Sequence, residues 1–319
     1  MKILVPLNNS KYVDKFIDLG ADEIYLGFYD DAWVERFGEY SDINRMSGFN
    51  KYANKYNFCE MIEQVKIAKS KGVSVFVTLN ANCYSREQIA YIEENYFAQM
   101  IDAGVDGVIV SGIELGKAAL KFGLQPVAST MCAIYNSDIA REYYEQGIKR
   151  QILPRDLSLA EIESIKNKVP DISLEVFFMR NGCVFSDCYC LGMHRPECGA
   201  TCSTIKGKEH NFYSVKNDFK TVHNITVNDE LYNGMFHRET CGMCALYRLS
   251  KIGVESLKIV GRADNMEAIC EDIRVTKENM NLLEFCLTEE EYLAKMSYPF
   301  TSMKKCMFGL SCYYPEVRF

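Results

Sequence analysis

The residues most able to do chemistry are cysteines gathered in the middle of the chain. The candidate metal ligands among them are Cys183, Cys190, Cys198, Cys202, Cys241 and Cys244. Close spacings such as Cys198-x3-Cys202 and Cys241-x2-Cys244 let two thiolates turn toward one metal. Because a soft metal takes about four such ligands, we expect this stretch to bind an iron–sulfur cluster or, alternatively, zinc.

The composition of the chain indicates the cellular compartment and the kinds of partner that such a site would have. The chain has 14 cysteines among its 319 residues. This number is high for a cytosolic protein, in which thiols stay reduced, so metal ligation explains the gathered cysteines better than disulfides do. The net charge of −7 gives no general attraction to nucleic acid or to an anionic membrane. No apolar run reaches the roughly 20 residues of a membrane span, and no cleavage signal is recognisable near Met1. We therefore expect a cytoplasmic protein without a membrane segment.

Short apolar runs alternate with amphipathic segments along most of the chain. The run Val108–Val110 is apolar throughout, as is typical of parallel strands covered on both faces. The segments between such runs have one apolar helical face, and several end at a glycine, as at Gly72 and Gly104. The eight predicted strands are Lys2–Leu7, Glu23–Phe28, Val73–Asn80, Gly107–Ser111, Gln125–Thr130, Arg150–Pro154, Leu174–Phe178 and Ser256–Val260. This order favours an α/β fold, a (β/α)8 TIM-like barrel, with an open doubly wound sheet as the alternative.

Two long segments interrupt this regular alternation. One is a polar and aromatic excursion over residues 29–56, whose rings are candidates to stack on a planar substrate. The other is the cysteine-rich insertion over residues 179–244, after the seventh strand. Both would leave the carboxyl ends of barrel strands, where active sites are built. We expect one barrel over residues 1–283 that includes the metal-binding insertion, followed by an irregular tail over residues 284–319.

Several motifs resemble those of the collagenase-like peptidase family, number thirty-two of the unassigned peptidases. Glu175–Phe177 is followed at the family's spacing by Cys183, and Cys190 falls on the second cysteine of the family signature. Leu257–Arg262 is similar to the family's Leu-Lys-Ile-Glu-Gly-Arg motif, and Leu153–Ser158 is similar to its Leu-x-Arg-Glu-Leu-Ser motif. The Cys-x3-Cys pair resembles the family's later pair. The Cys-x2-Cys pair has no obvious counterpart, so the complete ligand set stays open.

The resemblance implies a barrel that carries a [4Fe–4S] cluster. The family includes oxygen-independent hydroxylases of the UbiU, UbiV, RlhA and TrhP types. It therefore implies an iron–sulfur enzyme that hydroxylates an aromatic metabolite or an RNA base, so that the substrate is a small molecule or RNA. Two alternatives stand beside this interpretation: a peptidase, and a non-catalytic metal-stabilised barrel that acts with a partner subunit of the same family.

Polar side chains near predicted strand ends are the candidates for contact with a substrate. The substrate-binding candidates are Asn80, Arg155, Arg180 and Lys258, and the catalytic candidates are Glu175 and Arg262. A guanidinium group donates two parallel hydrogen bonds, so Arg155 and Arg262 suit a carboxylate or a phosphate. Glu175, expected at a strand end beside the cysteines, would act as an acid or base if burial raised its pKa. The competing interpretation is that these charged groups only form salt bridges with their neighbours.

Overall fold

The computed structural model describes residues 1–48, 53–183, 186–190, 208–214, 220–226, 228, 240–299 and 312–317. Eight parallel strands form a closed barrel, in which each strand pairs with the next and the last pairs with the first. The barrel strands are β1 (Lys2–Pro6), β2 (Glu23–Leu26), β3 (Ser74–Leu79), β4 (Gly107–Val110), β5 (Gln125–Ala128), β6 (Arg150–Ile152), β7 (Ser173–Met179) and β10 (Ser256–Ile259). Two further strands, β8 (Glu209–Ser214) and β9 (Lys220–Thr226), belong to the insertion. Closure confirms the predicted TIM-like barrel and excludes the open sheet.

Helices follow most of the strands and cover the outside of the barrel. They are α1 (Val13–Asp18), α2 (Asp31–Phe37), α3 (Phe58–Ser70), α4 (Arg86–Ile92), α5 (Ala98–Asp102), α6 (Ile113–Lys121), α7 (Ser137–Glu145), α8 (Leu159–Lys168), α9 (Leu246–Ile252), α10 (Met266–Leu282) and α11 (Glu289–Lys295). A π-helical segment, Glu93–Phe97, joins α4 to α5.

The local sequence explains where these elements begin and which faces they bury. Side chains alternate between the barrel interior and the helix layer, so the apolar run Val108–Val110 is buried on both faces. Asn57 caps α3 in a reciprocal capping box with Glu60, and Ser158 caps α8 in the same way. The caps fix the helix starts, and the loops before them carry polar residues to the carboxyl ends of the strands.

The insertion follows β7 as predicted. Its described residues include a short 3-10 turn, Asp187–Tyr189, and the antiparallel hairpin of β8 and β9, which the sequence pattern did not predict. The C-terminal segment, predicted to be irregular, contains α11. Within the part of the chain that the structure describes, no helix is long and apolar enough to cross a membrane.

Candidate active site at the barrel mouth

A buried network of opposite charges lies in the lower half of the barrel interior, which is the half near the amino ends of the strands. Arg150 donates from Nη1 and Nη2 to the two carboxylate oxygens of Glu23, at 2.9 and 2.5 Å. Its Nε donates to Oε2 of Glu175 at 2.9 Å, and Nζ of Lys258 donates to Oε1 of the same carboxylate at 2.8 Å. Two carboxylates therefore meet two cations, which offsets the cost of burying each charge.

Glu175 and Lys258 belong to this network. Glu175 is the third of the seven residues of β7 and is completely buried, so the expectation that it lies at a strand end beside the cysteines is wrong. Its catalytic role and the substrate-binding role of Lys258 stay predictions. Burial lowers the pKa of Lys258, and the charge of Glu175 opposes that shift. The Nζ atom of Lys258 also lies 4.2 Å from the centre of the Tyr25 ring.

Arg262 lies higher in the interior, just after β10, and is held by neutral side chains. Its Nη1 donates to Oδ1 of Asn54 at 3.0 Å and to Oγ1 of Thr78 at 2.8 Å, and its Nη2 donates to Oδ1 of Asn44 at 3.4 Å. Burial lowers the pKa of Arg262 to about 10, and the positive charge of Arg45 acts in the same direction. The guanidinium is thus a buried cation at neutral pH.

Gly27 leaves the space that this guanidinium occupies. A Cβ atom on Gly27 would lie 2.0 Å from Nη1 of Arg262 and 2.5 Å from Oδ1 of Asn54. These distances are far below van der Waals contact, so no side chain fits without moving the guanidinium. Gly27 directly follows β2, and Tyr25, two residues earlier, lies on the same inward face.

A second buried ion cluster connects the insertion to the barrel mouth, which is the end of the barrel where the carboxyl ends of the strands lie. Oδ2 of Asp187 accepts hydrogen bonds from Nε of Arg155 at 2.9 Å and from Oγ1 of Thr130 at 3.0 Å, while Oδ1 lies 2.6 Å from Nη2 of Arg45. Burial alone would raise the pKa of Asp187, but the charges of Arg155 and Arg45 hold it below its ordinary value. The Arg155 guanidinium also lies 4.2 Å from the centre of the Phe177 ring. Asp187 therefore ties the insertion to three loops of the barrel.

The remaining two substrate-binding candidates differ in their surroundings. Asn80 directly follows β3, is buried, and donates from Nδ2 to Oγ of Ser129 at 3.0 Å, which places it in the mouth. Arg180 directly follows β7 and has a left-handed backbone, with φ of 63°. Its guanidinium is bonded to the carboxylate of Asp272 and to the carbonyl of Ala268, both on α10. The arginine thus anchors the start of the insertion to the helix layer, and its role toward a substrate stays a prediction.

Two cysteines of the predicted metal site, Cys183 and Cys241, lie near the carboxyl end of β7. Cys241 forms an antiparallel bridge with Met179 and a parallel bridge with Cys312. Cys183 lies next to the same segment, because the amide of Gly182 donates to Oγ1 of Thr240 at 3.1 Å. The chain path thus brings thiols from the start of the insertion, from its end and from the C-terminal segment to one side of the mouth.

The donor set fits a thiolate-bound metal in its chemistry. Of the six predicted ligands, Cys190 and Cys241 are buried and Cys183 and Cys244 are half-buried, whereas Cys198 and Cys202 lie outside the described residues. Counting only described residues, no three cysteine, histidine or acidic side chains are grouped as metal ligands. Soft thiolates suit an iron–sulfur cluster and zinc alike, and the choice between them stays a prediction.

The chain is similar to known proteins along most of its length. The profile of Peptidase family U32 matches residues 8–300. The chain belongs to this family. The U32 chain is 26% identical over 312 residues to an uncharacterised protease of Methanocaldococcus jannaschii, covering 93% of this chain and 68% of that protein. It is 21% identical over 312 residues to tRNA hydroxylation protein P1 of Bacillus subtilis, covering 96% and 68%. Among solved structures it resembles the U32 peptidase Mk0906, with a TM-score of 0.49 and 15% identity over 82% of this chain and 93% of that one.

Sequence reasoning missed several polar residues of this U32 mouth. They are Asn44, Arg45, Asn54, Thr78 and Asp187. The excursion over residues 29–56 reaches the mouth through its asparagines, Asn44 and Asn54, whereas the sequence prediction for this segment rests on its aromatic rings. Two signals were available: asparagines inside a long loop after a strand, and Gly27 directly after β2. Glycine at such a position often marks a close approach of another group to the backbone.

Proposed function

We propose that this U32 protein is a metal-dependent enzyme that hydroxylates a base in tRNA, with a thiolate-bound iron–sulfur cluster at the barrel mouth. The observation that carries the proposal is the position of Cys183 and Cys241. Both lie at the carboxyl end of β7, on the side of the mouth where Arg155 and Asp187 also lie. Thiolates at the catalytic end of a barrel, next to buried polar groups, suit redox chemistry on a bound substrate better than a purely structural metal remote from the mouth.

The residues of the chain divide the work in this proposal. Hydroxylation replaces a C–H bond with a C–OH bond, so it needs an oxygen-containing co-substrate that supplies the oxygen atom and takes up two electrons. An iron–sulfur cluster, when held by the cysteines, would carry electrons between that co-substrate and the base. Asn80 and Arg262 would bind and orient the substrate from the barrel side. The Asp187 cluster would hold the start of the insertion at the edge of the mouth and so keep bulk water out on that side. A base inside an RNA stem cannot enter a closed barrel, so the substrate base must be unpaired or flipped out.

Relatives support RNA as the substrate. The name of the Bacillus subtilis relative assigns it to tRNA hydroxylation, and its match extends over nearly all of the present chain. At 21% identity the particular base and the position in tRNA are free to differ. A small aromatic metabolite is the second substrate class, and a partner subunit of the same family stays a prediction.

The metal is tested by anaerobic purification followed by iron, sulfide and zinc analysis. We expect a brown protein with iron and acid-labile sulfide in equal amounts, and we expect Cys183→Ser and Cys241→Ser to lose most of both. Cys59→Ser is the matched control, because Cys59 is exposed on α3 and should leave the metal content unchanged. Stoichiometric zinc without sulfide would contradict the proposal.

The reaction is tested by mass spectrometry of tRNA nucleosides from cells with and without the gene. A hydroxylated nucleoside that disappears on deletion, and returns with the wild-type gene but not with Cys183→Ser, is the expected result. An unchanged nucleoside profile together with an accumulating aromatic metabolite would redirect the proposal to the second substrate class. Gelatin cleavage by the purified protein that survives Cys183→Ser would instead support a peptidase.

A further inference from the structure

Arg262 is a buried cation whose charge is not balanced by its contacts. Its residue is only 6% exposed, and its three hydrogen-bond partners are two asparagines and a threonine. Counting the described part of the chain, no carboxylate lies within ion-pair distance of it, although such pairs form around Arg150, Arg155 and Arg180. Arg262 therefore differs from these three arginines, because all the side chains that accept its hydrogen bonds are neutral.

The carboxylates of the surrounding interior and loops already have other partners. Asp187 is held by two other arginines, and Glu175 by Arg150 and Lys258. Oδ2 of Asp264, two residues after Arg262, accepts a hydrogen bond from Nδ2 of Asn181 at 2.6 Å. Side-chain rearrangement could supply a counter-charge only by breaking one of these contacts, which would leave another polar or charged group without its partner.

Asn54 provides an independent second observation. The residue is 1% exposed, and its Oδ1 is occupied by the hydrogen bond from Arg262. In the described structure its Nδ2 is a buried donor without an acceptor. Burial of a donor without an acceptor lowers the free energy of unfolding, so this amide is suited to an acceptor that a bound molecule supplies. Because Nδ2 and Oδ1 belong to the same amide, the unsatisfied donor lies next to the unbalanced cation.

Neighbouring residues fix the positions of the two donors, the Arg262 guanidinium and the Asn54 amide. Gly27 has no side chain, and any Cβ would clash with both the guanidinium and the amide. Oγ1 of Thr78 fixes Nη1 of Arg262 at 2.8 Å, and Oγ1 in turn donates to the carbonyl of Leu26 at 3.2 Å. The donors are thus held in place before any ligand arrives, which lowers the entropic cost of binding.

We propose that Arg262 and Asn54 form a pocket for one oxyanion, a carboxylate or phosphate group of a molecule bound at the barrel mouth. A single oxyanion supplies both missing elements, a negative charge for the guanidinium and an acceptor for the amide. A neutral ligand would satisfy the amide but leave the cation unbalanced. The inference rests on the proposed function and deepens it by naming the chemical class that the mouth recognises. The anion comes either from a phosphate of the RNA or from the carboxylate of a small molecule.

The pocket is tested by thermal unfolding of the full chain in the presence of defined anions. The probes are inorganic phosphate, adenosine monophosphate and benzoate, each compared with sodium chloride at the same ionic strength. We expect a saturable rise in Tm with at least one oxyanion, since a ligand that binds only the folded state stabilises it. Stabilisation by the two phosphate compounds alone identifies an RNA phosphate as the natural ligand. Stabilisation by benzoate alone identifies a small carboxylic acid.

Two substitutions assign the effect to the pocket. Asn54→Asp places a carboxylate 3.0 Å from Nη1 of Arg262 without a change in size. It should raise Tm in chloride alone and abolish the response to oxyanions. Arg262→Met should weaken oxyanion binding about 10- to 100-fold, as expected for the loss of charged hydrogen bonds. Arg274→Met, on the exposed face of α10, is the matched control and should bind as the wild type does.

The results separate this inference from the proposed function. The proposed pocket would be overturned if the anions raised the Tm of wild type and of Asn54→Asp equally. It would also be overturned if no oxyanion raised the Tm of the wild type more than chloride does. Neither outcome depends on the metal analysis. Conversely, the pocket stands if the protein binds an oxyanion through Arg262 and Asn54 but contains neither iron nor sulfide. In that case only the proposed reaction fails. Should Arg262→Met not fold, the Asn54→Asp comparison decides the question alone.

Discussion

Replacement of Asp187 by asparagine tests whether the insertion is locked onto the barrel by charge. The side chain is 1% exposed, and its carboxylate faces two arginines whose side chains are themselves mostly buried, Arg45 and Arg155. Asp187→Asn keeps the size of the side chain, so the substitution introduces no steric effect. The change removes the negative charge that both guanidinium groups face. Removal of one partner from a buried ion pair typically costs about 3–5 kcal/mol, and we expect a loss of that size in the free energy of unfolding.

Urea unfolding at pH 7 measures this loss, and Asp14→Asn is the matched control. Asp14 also pairs with a lysine, Lys71, but its side chain is 65% exposed, so the same substitution should cost less than about 1 kcal/mol. The folded pKa of Asp187 is depressed, so its contribution is complete above the unfolded value of about 3.9. It is lost as the pH falls through the folded pKa, and the difference between wild type and Asp187→Asn should shrink there. A loss at pH 7 no larger than that of Asp14→Asn would refute the reasoning.

Three further substitutions test the barrel interior. Gly27→Ala should displace the guanidinium of Arg262, because the new Cβ would lie 2.0 Å from Nη1; thermal unfolding should show a lower Tm, and oxyanion binding should be lost with it. Arg150→Met leaves two buried glutamates without their shared arginine and should lower the urea midpoint by an amount that corresponds to about 3–5 kcal/mol. Its control, Lys2→Met, removes the 59% exposed partner of the same network and should cost less than about 1 kcal/mol in that titration. Lys258→Met should also destabilise, since it removes a buried counter-charge, and an unchanged midpoint would contradict the charge network of the lower interior.

The sequence was sufficient to predict the barrel because its strands are covered on both faces. Residues such as Val108–Val110 have no polar face to present, so short apolar runs mark the strands directly. All eight predicted strands are present, with ends that differ by one or two residues. The hairpin of Glu209–Ser214 and Lys220–Thr226 escaped prediction because its residues, which include two histidines and two asparagines, have no sustained apolar face.

The contacts of the mouth could not be predicted from local sequence. The hydrogen bond between Arg262 and Asn54 joins residues 208 positions apart, and the bond between Arg262 and Thr78 joins residues 184 positions apart. Glu23 and Arg150 open their strands with a charge, and only the closed barrel shows that both side chains point inward. Hydrophobic periodicity specifies the face that a residue occupies, but it does not specify which polar groups meet across the interior.

The distribution of charge along the barrel axis connects stability to function. At the opposite end of the interior from the mouth, Glu23 and Glu175 are matched by Arg150 and Lys258, so the buried charges there are balanced. At the mouth, Arg262 has neutral hydrogen-bond partners, and its guanidinium fills the space that the missing side chain of Gly27 leaves. Stability alone would favour an apolar residue at position 262, which removes the buried charge, or a carboxylate next to Arg262, which balances it. A cation kept there at a cost to the free protein gains its counter-charge only when a ligand binds. The imbalance that lowers the stability of the fold therefore favours an anionic substrate.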